Sequence, residues 1–257
     1  MSNSHPGDEN RRVFVITGAG QGLGRAYATM FGARDQTVVA IDLNVDALNN
    51  VASEIRAAGG ECLPLVVDVG SAAAVEDAAR QIEQRYGRAD VLINNAAIFS
   101  TLQMRPFEEI PLEEWSRVLH VNVTGPFLMT RALSPLMRRQ KWGRVINVSS
   151  AAVVMGRPHY LHYTTSKAAV IGMTRSMARE LGPHGITVNA VLPGATDTEI
   201  PRETVSSAQK QVQISMRCIQ REANTDDLTG TVSFLASDDS GFVTGQSLVV
   251  DGGLVFL

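Results

Sequence analysis

Cysteine is nearly absent: Cys62 and Cys218 are the only two in 257 residues, and they lie far apart in the chain. That excludes a disulfide framework and a thiolate metal cluster, so no metal site is expected. Neither sign of charge is in excess. Lys and Arg number 23 against 26 Asp and Glu, a net charge of −3, and the basic residues are scattered. Such a balance gives no electrostatic footprint for nucleic acid or an anionic membrane. Long apolar runs are missing as well. No stretch approaches the roughly 18 residues that a membrane span needs. Met1 to Arg12 is polar, contains Pro6 and Gly7, and lacks the apolar segment of an export signal. Residues 1–11 are expected to form a flexible tail, and the protein is expected to be cytoplasmic.

What is present is an ordinary globular composition, 44% hydrophobic and 19% charged, in a chain long enough for a substantial core. Short β-branched and apolar runs predict buried strands over 13–17, 37–42, 63–67, 91–94, 144–148, 186–191 and 247–250. Helical patterns fall between them, over 22–34, 44–58, 71–86, 112–139, 160–181 and 226–236. The fourth helix is expected to bend at Gly125-Pro126. Buried strands alternating with helices demand a parallel sheet covered on both faces. The expected fold class is therefore α/β: a single Rossmann-type domain over 12–257, with a doubly wound parallel sheet of seven strands. Two stretches, 97–111 and 195–215, carry no periodic pattern, and the second is long enough to mark a lid.

Thr17-Gly18-Ala19-Gly20-Gln21-Gly22-Leu23-Gly24 sits between the first strand and the first helix. Glycines there permit a tight turn and let the backbone approach a pyrophosphate at the helix N-terminus. Position 23 is Leu, so the strict G-x-G-x-x-G spacing is replaced by Gly18-x-x-x-Gly22-x-Gly24. Asp42 ends the second strand. A carboxylate there can accept hydrogen bonds from ribose hydroxyls and would repel a 2′-phosphate, which favours NAD(H) over NADP(H). The other reading is that Asp42 caps the turn into the second helix.

Tyr163 and Lys167 are four residues apart, so on a helix they share a face, with Cβ atoms about 5–6 Å apart. An ammonium beside a phenol favours the phenolate, which makes the tyrosine a candidate acid/base.

Together, the Thr17–Gly24 loop, Asn94-Asn95-Ala96-Ala97, Asn122, Ser150, Tyr163-x-x-x-Lys167 and Pro193-Gly194 resemble the short-chain dehydrogenase/reductase family in order and spacing. The closing run from Phe234 through Thr244-Gly-Gln to Asp251-Gly-Gly is similar to that family too. The resemblance implies that Tyr163 exchanges the alcohol proton and that Ser150, rather than Ser149, hydrogen-bonds the substrate oxygen. It implies that Lys167 supports the phenolate and binds the nicotinamide ribose, and that Asn122 holds a water in a proton path. Two hydroxyl donors at a carbonyl oxygen would stabilise the charge that develops there. The implied cofactor contacts are Gly18, Gln21, Gly22, Leu23, Gly24, Asp42, Leu43, Asp68 and Val69. They continue with Asn95, Ala96, Ala97, Pro193, Gly194, Thr196 and Thr198, together with Tyr163 and Lys167. Ala97 departs from the glycine usual in the family.

By position, Ala152, Val154, Tyr160, Ser150 and Tyr163 should contact substrate, with Ile98, Phe99, Leu102, Met155 and Ile200 nearby. This mostly apolar wall points to a hydrophobic secondary alcohol or ketone. His159 and His162 flank the site and could orient a polar substituent. The alternatives are a 3-oxoacyl-carrier-protein reductase using NADP(H) and a non-catalytic NAD-binding regulator. The family resemblance also implies a homotetramer.

Overall fold

In the computed structural model, which describes residues 11–200 and 207–257, the seven apolar runs become seven strands. They are β1 (Val13–Thr17), β2 (Thr37–Asp42), β3 (Glu61–Val66), β4 (Val91–Asn94), β5 (Gly143–Val148), β6 (Ile186–Pro193) and β7 (Ser247–Val250). All pair in parallel, in the order β3-β2-β1-β4-β5-β6-β7. The chain runs outward from β1 to β3, then returns to lay β4 against the other side of β1. Connections leave in opposite directions at that point and open a crevice at the strands' carboxyl ends.

The helices are α1 (Gly22–Gly32), α2 (Val45–Ala57), α3 (Ala72–Tyr86), α4 (Leu112–Leu119), α5 (Gly125–Gln140), α6 (Ala152–Met155), α7 (Leu161–Leu181), α8 (Ser207–Ser215) and α9 (Asp226–Ala236). Successive side chains of a strand point to opposite faces, so the inner strands feed two cores. Val13 and Val15 of β1 pack with α3, α5 and α7. Phe14 and Ile16 pack with α1, α2 and α9. Burial on both faces is why the strands read as continuous apolar runs rather than alternating ones. The Asn44 and Ser71 side chains cap α2 and α3 by accepting from Ala47 N–H and Ala74 N–H, and left-handed Gly87 closes α3.

Several expectations need correction. The segment 112–139 is not one helix bent at Gly125-Pro126; a π-helical turn, His120–Thr124, joins α4 to α5. The wider turn brings Asn122 into the interior, where it is fully buried. The stretch 195–215 contains α8, and 152–155 folds into a helical turn that the pattern did not announce. The tail expected over 1–11 lies outside the described residues except for Arg11, as do residues 201–206 of the expected lid. Among the described residues no helix is long and apolar enough to cross a membrane.

Candidate active site

The turn after β1 is pinned by the strand beside it. Thr17 Oγ1 accepts the N–H groups of Asn95 and Ala96 at 3.0 and 3.1 Å. Asn95 Nδ2 donates to the carbonyls of Thr17 and Gly18, each at 3.1 Å. Gly18 has φ +64°, and a Cβ there would fall 2.8 Å from Ala96 Cα. At Gly24 a Cβ would lie 2.0 Å from the Gly18 carbonyl oxygen, so only glycine lets α1 seat this close to the loop.

Asp42 holds the turn into α2. Its Oδ1 accepts from Asn44 N–H at 3.0 Å, which closes the turn into α2, and its Oδ2 accepts from Gly20 N–H at 2.9 Å. The same side chain lines the crevice.

Gly22 N–H, at the start of α1, donates to Glu199 Oε1 at 2.9 Å. A carboxylate on a helix N-terminus is favoured by the unpaired amides and the helix dipole. Partial burial works against the Glu199 charge, but the Gly22 bond and the nearby Arg25 still hold its carboxyl below the ordinary range. Arg25 lies 3.6 Å from the same oxygen.

At the other end of the crevice α7 carries Tyr163 and Lys167. Lys167 is buried; its Nζ donates to the Val148 carbonyl at 2.7 Å and stands 5.8 Å from the centre of the Tyr163 ring. Burial pulls its pKa down to about 8. The two serines after β5 separate by partner. Ser149 is buried and donates to the Lys167 carbonyl at 2.8 Å, whereas Ser150 Oγ faces the crevice and accepts from Ala152 N–H at 3.2 Å. Asn122 is wholly engaged: it donates to the Ile98 carbonyl and Ser166 Oγ, each at 3.1 Å, and accepts from Ile98 N–H at 2.8 Å. Asn122 therefore clamps the loop after β4 to α7, one residue from Lys167.

These groups border one cavity of about 340 Å³, within the range of small-molecule sites. Gly18, Gln21, Leu23, Asp42, Leu43, Asp68 and Val69 line one end. Asn95, Ala96, Ala97, Pro193, Gly194, Thr196 and Thr198 line its middle, and Ser150, Ala152, Tyr160, Tyr163 and Lys167 its far end. Gly22, Gly24, Asn122 and Val154 are not on the wall. The two glycines and Asn122 stand behind it. Val154 sits on α6 one residue from Met155, which takes the wall position, because neighbouring helical residues point about 100° apart. Leu102 packs with Val118 and Tyr160 rather than facing the cavity.

The histidines do not line the cavity either. His159 is solvent-exposed with φ +61°. His162 is fully buried, its Nε2 3.3 Å from Glu114 Oε1. Tyr160 is nearly buried, donates to the Phe99 carbonyl, and lies 4.8 Å from the Tyr163 ring. Among the residues at the site that the sequence does not announce are Glu199 and Arg157. Arg157 could have been found as the one cation between Ser150 and Tyr163; nothing local marks Glu199.

A family model described as Enoyl-(Acyl carrier protein) reductase matches residues 18–255. A 3-oxoacyl-(acyl-carrier-protein) reductase of Thermotoga maritima is 36% identical over 244 residues, covering 95% of this chain and 98% of the relative. The (2S)-((R)-hydroxy(phenyl)methyl)succinyl-CoA dehydrogenase subunit of Thauera aromatica is 38% identical over 242 residues, with 94% and 96% covered. Among solved structures, NAD+-bound xylitol dehydrogenase superposes with a TM-score of 0.87 at 32% identity, over 94% of this chain and 98% of that one.

Proposed function

We propose that this chain, which belongs to the short-chain dehydrogenase/reductase family and is an oxidoreductase of CH–OH and ketone groups, uses NAD(H) on a hydrophobic secondary alcohol or ketone. The observation that carries the cofactor assignment is Asp42 at the end of β2. Both its oxygens are fixed by backbone N–H groups, and among the described residues no Lys or Arg shares that end of the wall. A ribose diol can add its hydroxyls to such a carboxylate, and a 2′-phosphate would meet uncompensated negative charge. The close seat of α1 at Gly18 and Gly24 also suits a dinucleotide.

When bound, the nicotinamide supplies or accepts the hydride. Tyr163 then exchanges the proton at the substrate oxygen, with Ser150 Oγ donating to that oxygen and the Lys167 ammonium beside the phenol. Asn122 fixes the floor by tying Ile98 to Ser166. The apolar substrate assignment is supported by Ile98, Phe99, Met155, Tyr160 and Ile200 on the wall. A 3-oxoacyl thioester is the second reading, and the 36% identity to a 3-oxoacyl-(acyl-carrier-protein) reductase favours it. For assembly we infer a homotetramer. Exposed Phe127 and Leu161 on α5 and α7 suit one interface, and Phe242, Phe256 and Leu257 suit another. A molar mass of four chains in light scattering is the expected result.

Initial rates with NAD(H) and NADP(H) side by side, over aryl and alkyl alcohols and ketones and a 3-oxoacyl thioester, test the assignment. Turnover of apolar substrates with NAD(H) is expected. Preference for NADPH with the thioester would replace it by the second reading.

A further inference from the structure

The charged residues on the cavity wall divide by position. Asp42 and Asp68 stand at the strand-end half and Lys167 lies beside Tyr163, while Arg157 is the one other charged residue among the described residues of the wall. Arg157 is half-buried, on the turn between Gly156, with φ +60°, and Pro158. Its N–H returns to the Ala152 carbonyl at 3.4 Å, which fixes the backbone of that turn. The guanidinium lies 5.4 Å from the centre of the Tyr160 ring, which in turn lies 4.8 Å from the Tyr163 ring. Its only polar side-chain contact among the described residues is a 3.6 Å approach to Met104 Sδ, a weak acceptor. The carboxylates on the neighbouring cavity wall, Asp197 and Glu222, are taken by Lys210 at 3.2 and 2.9 Å. A half-buried guanidinium beside Ile98, Phe99, Met155 and Tyr160 of the wall thus has no carboxylate partner among the described residues. It offers planar paired donors to whatever enters.

We propose that Arg157 determines specificity by pairing with a carboxylate on the substrate. The preferred ketone or alcohol then has an apolar body against Tyr160 and Phe99 and an acid group beyond it. This rests on the secondary-alcohol and ketone reading of the same site. It narrows that reading from hydrophobic substrates to hydrophobic oxo- or hydroxy-carboxylic acids.

The test compares an aryl oxo-carboxylic acid, its methyl ester and a 3-oxoacyl-coenzyme A in the wild type, Arg157→Gln and Arg157→Lys. The wild type is expected to favour the acid over the ester by at least tenfold in kcat/KM, the scale of a charge-assisted pair. In Arg157→Gln the acid should lose at least tenfold more than the ester, mainly through KM, with part restored in Arg157→Lys. Equal wild-type rates on acid and ester, or equal losses on both, overturn the assignment. Dependence on Arg157 seen only with the coenzyme A thioester also overturns it, since the anion would then be phosphate. Calorimetric binding of an aryl alkanoate and its amide separates this idea from the reaction itself. Equal affinity for the two overturns Arg157's role even in an active enzyme. Tighter carboxylate binding that Arg157→Gln removes, in a protein without turnover, upholds it and strikes the ketone reading instead.

Discussion

At the strand-end half of the cavity the backbone is held from all sides. Thr17 and Asn95 bind each other's main chains, Asp42 holds Gly20 and Asn44, and the glycines of the loop leave no room for a β-carbon. At the substrate half the wall comes from one helical turn, left-handed residues at Gly156 and His159, and side chains of Phe99, Tyr160 and Met155. The first half is fixed by hydrogen bonds whose geometry admits little variation. The second is fixed by packing of larger side chains, which tolerates change. The difference separates the rigid seat proposed for the dinucleotide from the adaptable wall proposed for the substrate.

Tyr163 is the group proposed to exchange the proton, so its loss should give the largest effect. Tyr163→Phe is expected to lower kcat by at least about 10²–10⁴-fold, the usual contribution of a positioned proton donor. NADH titration by fluorescence should show affinity retained. Weaker cofactor binding equal to the rate loss would assign Tyr163 to the first half alone. Next comes Asp42→Ala, which should raise the NADP:NAD ratio of kcat/KM about tenfold or more by removing a charge that repels the 2′-phosphate. An unchanged ratio sinks the cofactor assignment, while a drop with both cofactors would mean that Asp42 serves only the Gly20 turn.

The two halves were also unequally legible. The Thr17–Gly24 loop, Asp42 and the Tyr163–Lys167 pair can be read because each lies within a few residues of an element boundary and obeys helix or strand spacing. The strands could be read because burial on both faces makes them continuous apolar runs. The π turn at His120–Thr124 could not, since nothing in that sequence departs from helix periodicity; packing of Asn122 against Ile98 and Ser166 selects it. His162 looked like a site residue because it adjoins Tyr163. One helical step turns it about 100° away, against Glu114 on α4. Glu199 meets Gly22 across 177 positions of chain, a contact that only the fold creates.

That contact yields a smaller effect. Glu199 accepts from Gly22 N–H at the start of α1, where a cofactor's pyrophosphate would bind. Glu199→Gln keeps an acceptor and removes the charge. Calorimetry should show NADH binding about two- to fivefold tighter, the scale of a charge at a helix terminus. The effect should shrink at high salt. If affinity is unchanged, the Glu199 charge on the Gly22 amide has no thermodynamic weight in cofactor binding.

The smallest effect is one on stability, at Lys167, the buried cation beside Tyr163. Burial lowers its pKa to about 8, against roughly 10.4 in an unfolded chain. Below about pH 8 both states are protonated, and folding carries the full cost of a buried ammonium. Between about pH 8 and 10.4 the unfolded chain holds a proton that the folded chain has released, so this group makes stability rise with pH. Lys167→Met has no such proton. The wild-type Tm minus the Lys167→Met Tm, followed from pH 7 to 10, should therefore stay level up to about pH 8 and climb by a few degrees above it. Lys167→Met should at the same time lose turnover without losing stability at neutral pH, which would mark the residue as kept for proton transfer at some expense to the fold. A difference that stays flat across the range would show that the folded protein retains the Lys167 proton, and the ammonium would then be held by more than the Val148 carbonyl.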